Sequence, residues 1–341
     1  MSFHRASVLA RSFSSGARRY STSSAQKKSS SLPFVFLGVG VASAAAYWYL
    51  DSQVPPKPKQ EKSPLDPRGS STSNSRKSSH TTTTRRGTPR LSFRFTPLVL
   101  IIIRSFVFEL PNNEASLIPV ASCLVVKSSD PGGLVDAKGN PIIRPYTPIS
   151  PPDAPGELTL LIKRYETGNM SRYIFGLKEG DTLAIKGPIT KLPYQANEFD
   201  EIALIGGGSG ITPLYQVLTH ALSDKKNKTK FKLLYSNVTE KDILLREQLD
   251  ALREKYPNNL DIVYLLDQPS EGWKGPVGYI SADIIKQHVS PASLKEKVKV
   301  FVCGPPPQVA AIAGKKNGMK QGDLGGILKE LGYTEDQVFK F

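Results

Sequence analysis

Polar and apolar positions divide the chain into four regimes. No charged residue occurs from Ser29 to Leu50, and Leu32–Leu50 (LPFVFLGVGVASAAAYWYL) holds apolar and small residues throughout. As a helix this stretch spans about 28 Å, close to the ~30 Å hydrocarbon core of a bilayer. Tyr47, Trp48 and Tyr49 crowd one end, as interfacial aromatics do, and Lys27 and Lys28 flank the other. The pattern predicts one transmembrane or sorting helix over 32–50. Over 51–104 the periodicity fades into Pro, Ser, Thr and basic residues, which predicts a flexible tether. Within it, Pro97–Ile103 is too short to span a membrane and suits a buried strand. Thr83–Arg104 is foreign in composition to its neighbours, either a genuine insert or translated intron.

Residues 105–195 change character. Ser105–Leu110, Ala121–Lys127, Ile142–Ser150, Glu157–Tyr165 and Asp181–Lys186 are short runs rich in β-branched residues, separated by Pro, Gly, Asn and Asp. They predict an antiparallel β-barrel or sandwich. Over 200–341 strand and helix signals alternate. Strands are expected at Glu201–Ile205, Phe231–Ser236, Leu260–Leu266 and Val298–Cys303, and helices at Ile211–Leu222, Glu240–Lys255 and Pro306–Ala313. Such alternation predicts an α/β domain with a doubly wound parallel sheet. The fold class is multidomain: a barrel, then the α/β domain, behind an N-terminal helix.

Composition narrows the function. The 341 residues suffice for two domains. Two cysteines, Cys123 and Cys303, exclude a disulfide framework and a four-cysteine zinc site, and no metal is expected. The net charge of +15 is uneven. Residues 1–104 hold 17 Lys/Arg against 3 Asp/Glu, and the remainder holds 28 against 27. The folded body therefore lacks the basic face of a nucleic-acid binder, and that class is set aside. Residues 1–50 contain neither Asp nor Glu, while Arg5, Arg11, Arg18 and Arg19 punctuate a Ser/Ala-rich stretch. That is the composition of a mitochondrial presequence, expected over 1–31.

Three groups of residues carry candidate chemistry. In Arg144-Pro145-Tyr146-Thr147-Pro148-Ile149-Ser150, Arg144 and Tyr146 share one strand face. A guanidinium fork suits a pyrophosphate, and Tyr offers a ring face with a hydroxyl. An ordinary strand with a surface Arg fits this pattern equally well. Gly206–Gly210 follows a strand and opens a helix, the context of a phosphate loop. The G-x-G-x-x-G fingerprint fails at Ile211, so a plain tight turn also fits. Cys303 ends a parallel strand before Gly304-Pro305-Pro306, which places it to line a ligand crevice.

Together these motifs resemble the ferredoxin–NADP reductase superfamily, and most of all the NADH–cytochrome b5 reductases. RPYTPIS resembles the flavin motif R-x-Y-[ST]-x-x-[SN], and Gly168-Asn169-Met170-Ser171 resembles the second flavin motif, G-x-x-S. GGSGITP (Gly207–Pro213) is similar to the NAD(P) motif and CGPPP (Cys303–Pro307) to the C-terminal NADH motif. The resemblance covers about 105–341. It implies an FAD-binding barrel over 105–195, an NADH-binding α/β domain over 200–341, and hydride passing from NADH to FAD before single electrons leave. Arg144, Tyr146, Thr147, Gly168, Met170 and Ser171 would hold FAD. Gly207, Gly208, Gly210, Gly304 and Pro305 would hold NADH. Lys163 matches a lysine associated with NADH, and Asp267 a position tied to NADH preference, where an acid repels the 2′-phosphate of NADPH. Thr212 and Cys303 would shape the nicotinamide pocket.

Cytochrome b5 or a similar acidic haem protein is the implied acceptor, docked by surface lysines. The leader fits the family's mitochondrial form, in the outer membrane or intermembrane space, tethered by one helix. A monomer is expected. Two departures stand out: Thr167 stands where a double Gly is usual in the family, and the barrel start differs. The family's first barrel strand has no counterpart in Arg68–Ser79, with His80-Thr81-Thr82 as the remnant of a His-x-Thr segment. The alternatives are another flavin-dependent reductase serving an iron–sulfur partner, or a tethered nucleotide-binding protein whose flavin site is broken.

Overall fold

The computed structural model describes residues 90–96 by their backbone alone and residues 103–130 and 132–341 in full. The presequence, the helix expected at 32–50 and most of the tether lie outside the described residues. Among the described residues no helix is long and apolar enough to cross a membrane.

The first domain is a six-stranded antiparallel sheet. Its strands are β1 (Arg90–Thr96), β2 (Ile103–Glu109), β3 (Ser122–Ser128), β4 (Arg144–Tyr146), β5 (Glu157–Lys163) and β6 (Thr182–Thr190). Helix α1 (Asn169–Phe175) follows β5. The spatial order is β4-β3-β6-β1-β2-β5. Leu124 and Val126 of β3, Leu158, Leu160 and Ile162 of β5, and Phe106 and Phe108 of β2 join one buried cluster. Strands far apart in the sheet thus share one core, so the sheet curls into the expected barrel. The other face of the barrel wall looks elsewhere. Ile103, Ala121 and Leu161 pack into the core of the second domain, as period-two alternation requires.

The barrel starts earlier than the sequence suggested. The strand sought in Arg68–Ser79 is formed by Arg90–Thr96, inside the stretch read as tether and insert. It pairs with β2 from Ser92↔Glu109 to Thr96↔Ser105, and with β6 from Arg90↔Ala184 to Ser92↔Thr182. RLSFRFT alternates apolar and polar residues, the signature of a strand. The continuous apolar run after it obscured that pattern. β2 likewise begins at Ile103, ahead of the expected boundary at 105.

The second domain alternates β7 (Glu201–Gly207), α2 (Ile211–Ser223), β8 (Lys230–Asn237), α3 (Arg246–Lys255), β9 (Leu260–Leu266), α4 (Ala282–His288), β10 (Val298–Cys303), α5 (Pro306–Ala313), α6 (Gly326–Glu330) and β11 (Val338–Lys340). All pairings between these strands are parallel, in the order β11-β10-β7-β8-β9. Every residue of β7 is buried, as a central strand covered on both faces must be. The order runs outward in both directions from β7 and β10. Their adjacent C-terminal ends are therefore the switch point, where such sheets bind ligands.

One expected helix is broken. Glu240–Lys255 splits into a single turn at Glu240–Asp242 and α3, with Leu245 in the left-handed region at φ 59°. The backbone N–H of Leu244 is drawn to the Tyr235 hydroxyl at 3.3 Å instead of continuing a helix.

Candidate functional site

The turn after β7 is built by glycines with different tasks. Gly208 adopts φ +49°, open to glycine with little strain. Its carbonyl accepts a 2.9 Å bond from the hydroxyl of Tyr235, a fully buried side chain on β8. Gly210 lies in ordinary helical geometry, but a Cβ there would stand 2.3 Å from the Cys303 carbonyl oxygen and 2.7 Å from the Gly304 nitrogen. At Gly207 a Cβ would meet Gln308 Oε1 at 1.8 Å. At Gly210 the turn after β7 meets the end of β10 backbone to backbone, leaving no room for a side chain, whereas at Gly207 the neighbour is the Gln308 side chain.

Gln308 fastens that junction. From the first turn of α5 its Nε2 donates to the Gly206 carbonyl at 3.2 Å and to Ser236 Oγ at 3.0 Å. The sequence reading missed it. Its signal is position alone: it follows CGPPP directly, where a polar side chain at a helix start can turn back to the strand ends.

A cleft of about 620 Å³ opens between the domains at this point. From the barrel it is lined by Tyr146, Thr147, Lys163 and Ser171, and from the α/β domain by Gly210, Thr212, Cys303, Gly304 and Pro305. Tyr146 is carried by β4, which pairs with β3 at Leu124↔Tyr146. Burial pushes its phenol up to about 12, so it stays a neutral hydroxyl. The Cys303 thiol is likewise pushed up to about 12 by burial, against a weaker downward pull from the Lys316 ammonium. Cys303 is therefore a protonated wall residue and not a nucleophile at neutral pH. Thr212 is nearly buried, its hydroxyl directed to the Ser209 carbonyl at 3.4 Å.

A second cavity of about 570 Å³ adjoins the cleft along β8 and β9. Lys163, Gly208, Asn237, Asp267 and Pro305 line it, and Lys163, Tyr165 and Pro305 belong to both spaces. Burial raises the carboxyl pKa of Asp267. The buried Asn237 amide has neither its nitrogen nor its oxygen in a hydrogen bond, an arrangement that calls for a polar ligand.

Four expected site residues line neither space. Arg144 is exposed beside Pro145, with Nη1 bonded only to the neighbouring Ile143 carbonyl at 2.8 Å, so its fork faces solvent next to the cleft. Gly207 is packed against Gln308. Gly168 caps α1, and the Met170 side chain is buried in the barrel core. Ser171 reaches the cleft, but its hydroxyl is engaged internally, donating to the Gly168 carbonyl and accepting from Tyr165 N–H at 3.1 Å each. The G-x-x-S segment thus folds upon itself, and its side chains fix a backbone turn at the cleft wall.

These residues fit a pair of dinucleotides. The cleft joins a half-buried aromatic hydroxyl, a cation and closely approached glycine backbone, and the adjoining cavity supplies an acid and an unpartnered amide. Comparison with known proteins gives the class. Residues 101–194 match the oxidoreductase FAD-binding domain and residues 204–314 the oxidoreductase NAD-binding domain. The chain is a two-domain FAD- and NAD-dependent oxidoreductase.

The particular family follows from its relatives. The NADH-cytochrome b5 reductase 2 of Mycosarcoma maydis is 50% identical over 238 residues, 70% of this chain and 67% of that one. That of Yarrowia lipolytica is 48% identical over 240 residues, covering 70% and 80%. That of Coccidioides immitis is 38% identical over 330 residues, 95% of each chain. Among solved structures, the cytochrome b5 reductase domain of Ulva prolifera nitrate reductase superimposes with a TM-score of 0.64 at 26% identity, covering 74% of this chain and 96% of that one. The chain belongs to the NADH-cytochrome b5 reductase family.

Proposed function

We propose that this chain takes hydride from NADH onto FAD and passes electrons singly to cytochrome b5 or a similar acidic haem protein. The observation that carries the reading is convergence. The barrel motif around Tyr146 and Thr147 and the α/β motifs around Gly210, Thr212 and Cys303 line one cleft at the sheet's switch point. FAD, when bound, accepts two electrons together and releases them one at a time, which joins a hydride donor to a haem.

The chain's own residues bind and position. Tyr146 offers a neutral hydroxyl and ring, Thr147 a second polar group, and Arg144 an exposed fork for a pyrophosphate beside the cleft. The Gly168–Ser171 turn presents backbone at the wall. Gly208 and Gly210 bring the backbone close to the nucleotide, while Thr212, Cys303, Gly304 and Pro305 bound the nicotinamide end. Asp267 opposes a 2′-phosphate and so favours NADH over NADPH. Lys163 supplies positive charge between the two spaces. Cys303, held protonated, excludes water by its bulk and takes no proton from the substrate.

The same reading puts the protein at the mitochondrial outer membrane or intermembrane space, as a monomer, on the strength of the presequence expected over 1–31 and the apolar run at 32–50. The acid-free, arginine-punctuated leader supports this. Anaerobic titration of the purified full chain tests the function. Flavin absorption should bleach with NADH and return with cytochrome b5. A colourless protein that cannot be loaded with FAD, or bleached flavin that cytochrome b5 does not reoxidise, refutes it. Fractionation of cells expressing the full chain with a C-terminal tag tests the location.

A further inference from the structure

Two side-chain bonds cross between the domains beside the cleft, and both begin at the end of β5. Lys163 Nζ meets Asp242 Oδ1 at 2.8 Å, with 17% and 18% of the two side chains exposed. Two residues on, the Tyr165 hydroxyl lies 2.8 Å from Ser209 Oγ. Lys163 and Tyr165 line both spaces of the site, whereas Asp242 lines only the Asp267 cavity. The ammonium stands at the junction, and its counter-charge stands to one side.

Asp242 divides its bonding. Oδ2 accepts from Thr239 N–H at 3.1 Å and from the Thr239 hydroxyl at 2.8 Å, closing a capping box. Oδ1 faces Lys163. Burial raises the carboxyl pKa, but hydrogen bonds from Lys163 and Thr239 outweigh it and leave Asp242 below the ordinary range. The carboxylate is therefore anionic at neutral pH, and Thr239 still holds it if Lys163 leaves. A dinucleotide reaching from Asp267 to Cys303 carries its pyrophosphate near mid-length, past this ammonium. Phosphate and carboxylate then compete for one cation.

We propose that Asp242 is the positioning residue for the Lys163 ammonium, holding it at the junction in the free enzyme and exchanging it for the pyrophosphate of NADH on binding. The inference rests on the reading that NADH spans these two spaces. One ion pair replaces another, so the partly buried Lys163 is never left without a counter-charge, which is costly in a poorly solvated site. The displaced carboxylate stays beside the bound phosphates and weakens the hold on NAD+ as well, which favours product release.

The test is a double-mutant cycle read by calorimetric titration of oxidised holoenzyme with NAD+. Asp242→Asn keeps an oxygen for Thr239 and removes the charge opposing the phosphate. It should tighten NAD+ binding about fivefold, or about 1 kcal/mol at 1.4 kcal/mol per tenfold. Lys163→Met should weaken binding, and in the K163M background Asp242→Asn should keep only the smaller gain from relieved repulsion of the phosphate, because the competition for the ammonium is gone. Asp242→Glu retains both the charge and the capping side chain, and should bind as the parent does. Asp242→Gln is the neutral cap-preserving variant to use if Asp242→Asn unfolds. Unchanged affinity in the neutral variant, or an equal change with and without Lys163, overturns the proposal. Failure of the unsubstituted holoenzyme to bind NAD+ overturns the underlying reading of the site.

Discussion

Gly210→Ala pits two rules against each other. Gly210 has φ −65° and ψ −6°, at the N-cap of α2, where Ala adopts the same backbone without strain. By chain entropy alone the change should stabilise the protein by about 0.4–1 kcal/mol. The added Cβ, however, meets Cys303 O at 2.3 Å, Cys303 C at 2.5 Å and Gly304 N at 2.7 Å. All three are backbone atoms, so no rotamer relieves the clash, and the β7 turn and β10 end must separate by roughly 1 Å. Such overpacking costs about 1–3 kcal/mol. The net expectation is destabilisation by about 1–2 kcal/mol, a fall in Tm of roughly 2–4 °C per kcal/mol for a body of this size. The same displacement moves Cys303 and Gly304 against the nicotinamide end. A shift of that order costs about a hundredfold in rate where reacting groups must be aligned. Thermal unfolding of the holoenzyme and stopped-flow flavin reduction by NADH read the two effects. A variant as stable as the parent, with unchanged flavin reduction, would refute the backbone contact between the two strand ends.

Gln308→Leu removes the bonds to Gly206 and Ser236 and should lower kcat/KM for NADH about tenfold with a modest loss of Tm, measured by steady-state kinetics and thermal unfolding. Tyr235→Phe deprives the cavity-lining Gly208 carbonyl and the buried Leu244 N–H of their partner and should cost about 1–3 kcal/mol in urea unfolding. Cys303 should resist alkylation near neutrality, its rate rising about tenfold per pH unit toward 12, as followed by mass spectrometry of the holoenzyme. Its folded pKa lies above its unfolded one, so its contribution to stability is complete below about pH 9 and is lost as pH rises toward 12. Asp267→Ser should raise kcat/KM for NADPH relative to NADH, and an unchanged ratio would remove Asp267 from nucleotide choice.

Much of this arrangement was legible because each motif is local. GGSGITP and CGPPP each lie at a strand end, and periodicity alone placed β7 and β10. The strand order that brings them side by side is non-local, but the α/β alternation implied its class. Helix α4 and strand β11 were not read from sequence. α4 is seven residues long, and β11 has three residues whose pairing with β10 supplies the strand context. The fate of Met170 and Ser171 was also illegible, because a motif names residue types without saying whether side chain or backbone faces the ligand. Strand β1 was missed for the opposite reason: a stronger apolar signal next to it masked a valid alternation.

The two seams between the domains differ in kind, and the difference bears on function. On the α2 side Gln216 accepts from Ser122 N–H at 3.2 Å and donates to the Pro148 carbonyl at 3.4 Å, binding barrel backbone directly. Gln216 sits four residues after Thr212, one turn along the same helix face. The helix that opens at the glycine turn is thereby tied to the strand segment carrying Tyr146 and Thr147. On the β5 side the links run from side chain to side chain, the Tyr165–Ser209 hydroxyl contact and the Lys163–Asp242 ion pair, and a charged ligand can exchange the ion pair. The first seam fixes the cleft's two walls against each other, as near-attack geometry requires. The second leaves the cation at the cavity junction available to a phosphate. A reductase that must align one nucleotide tightly and release its product after each hydride is served by this division: a side chain bonded to barrel backbone where position matters, and an exchangeable charge pair where turnover does.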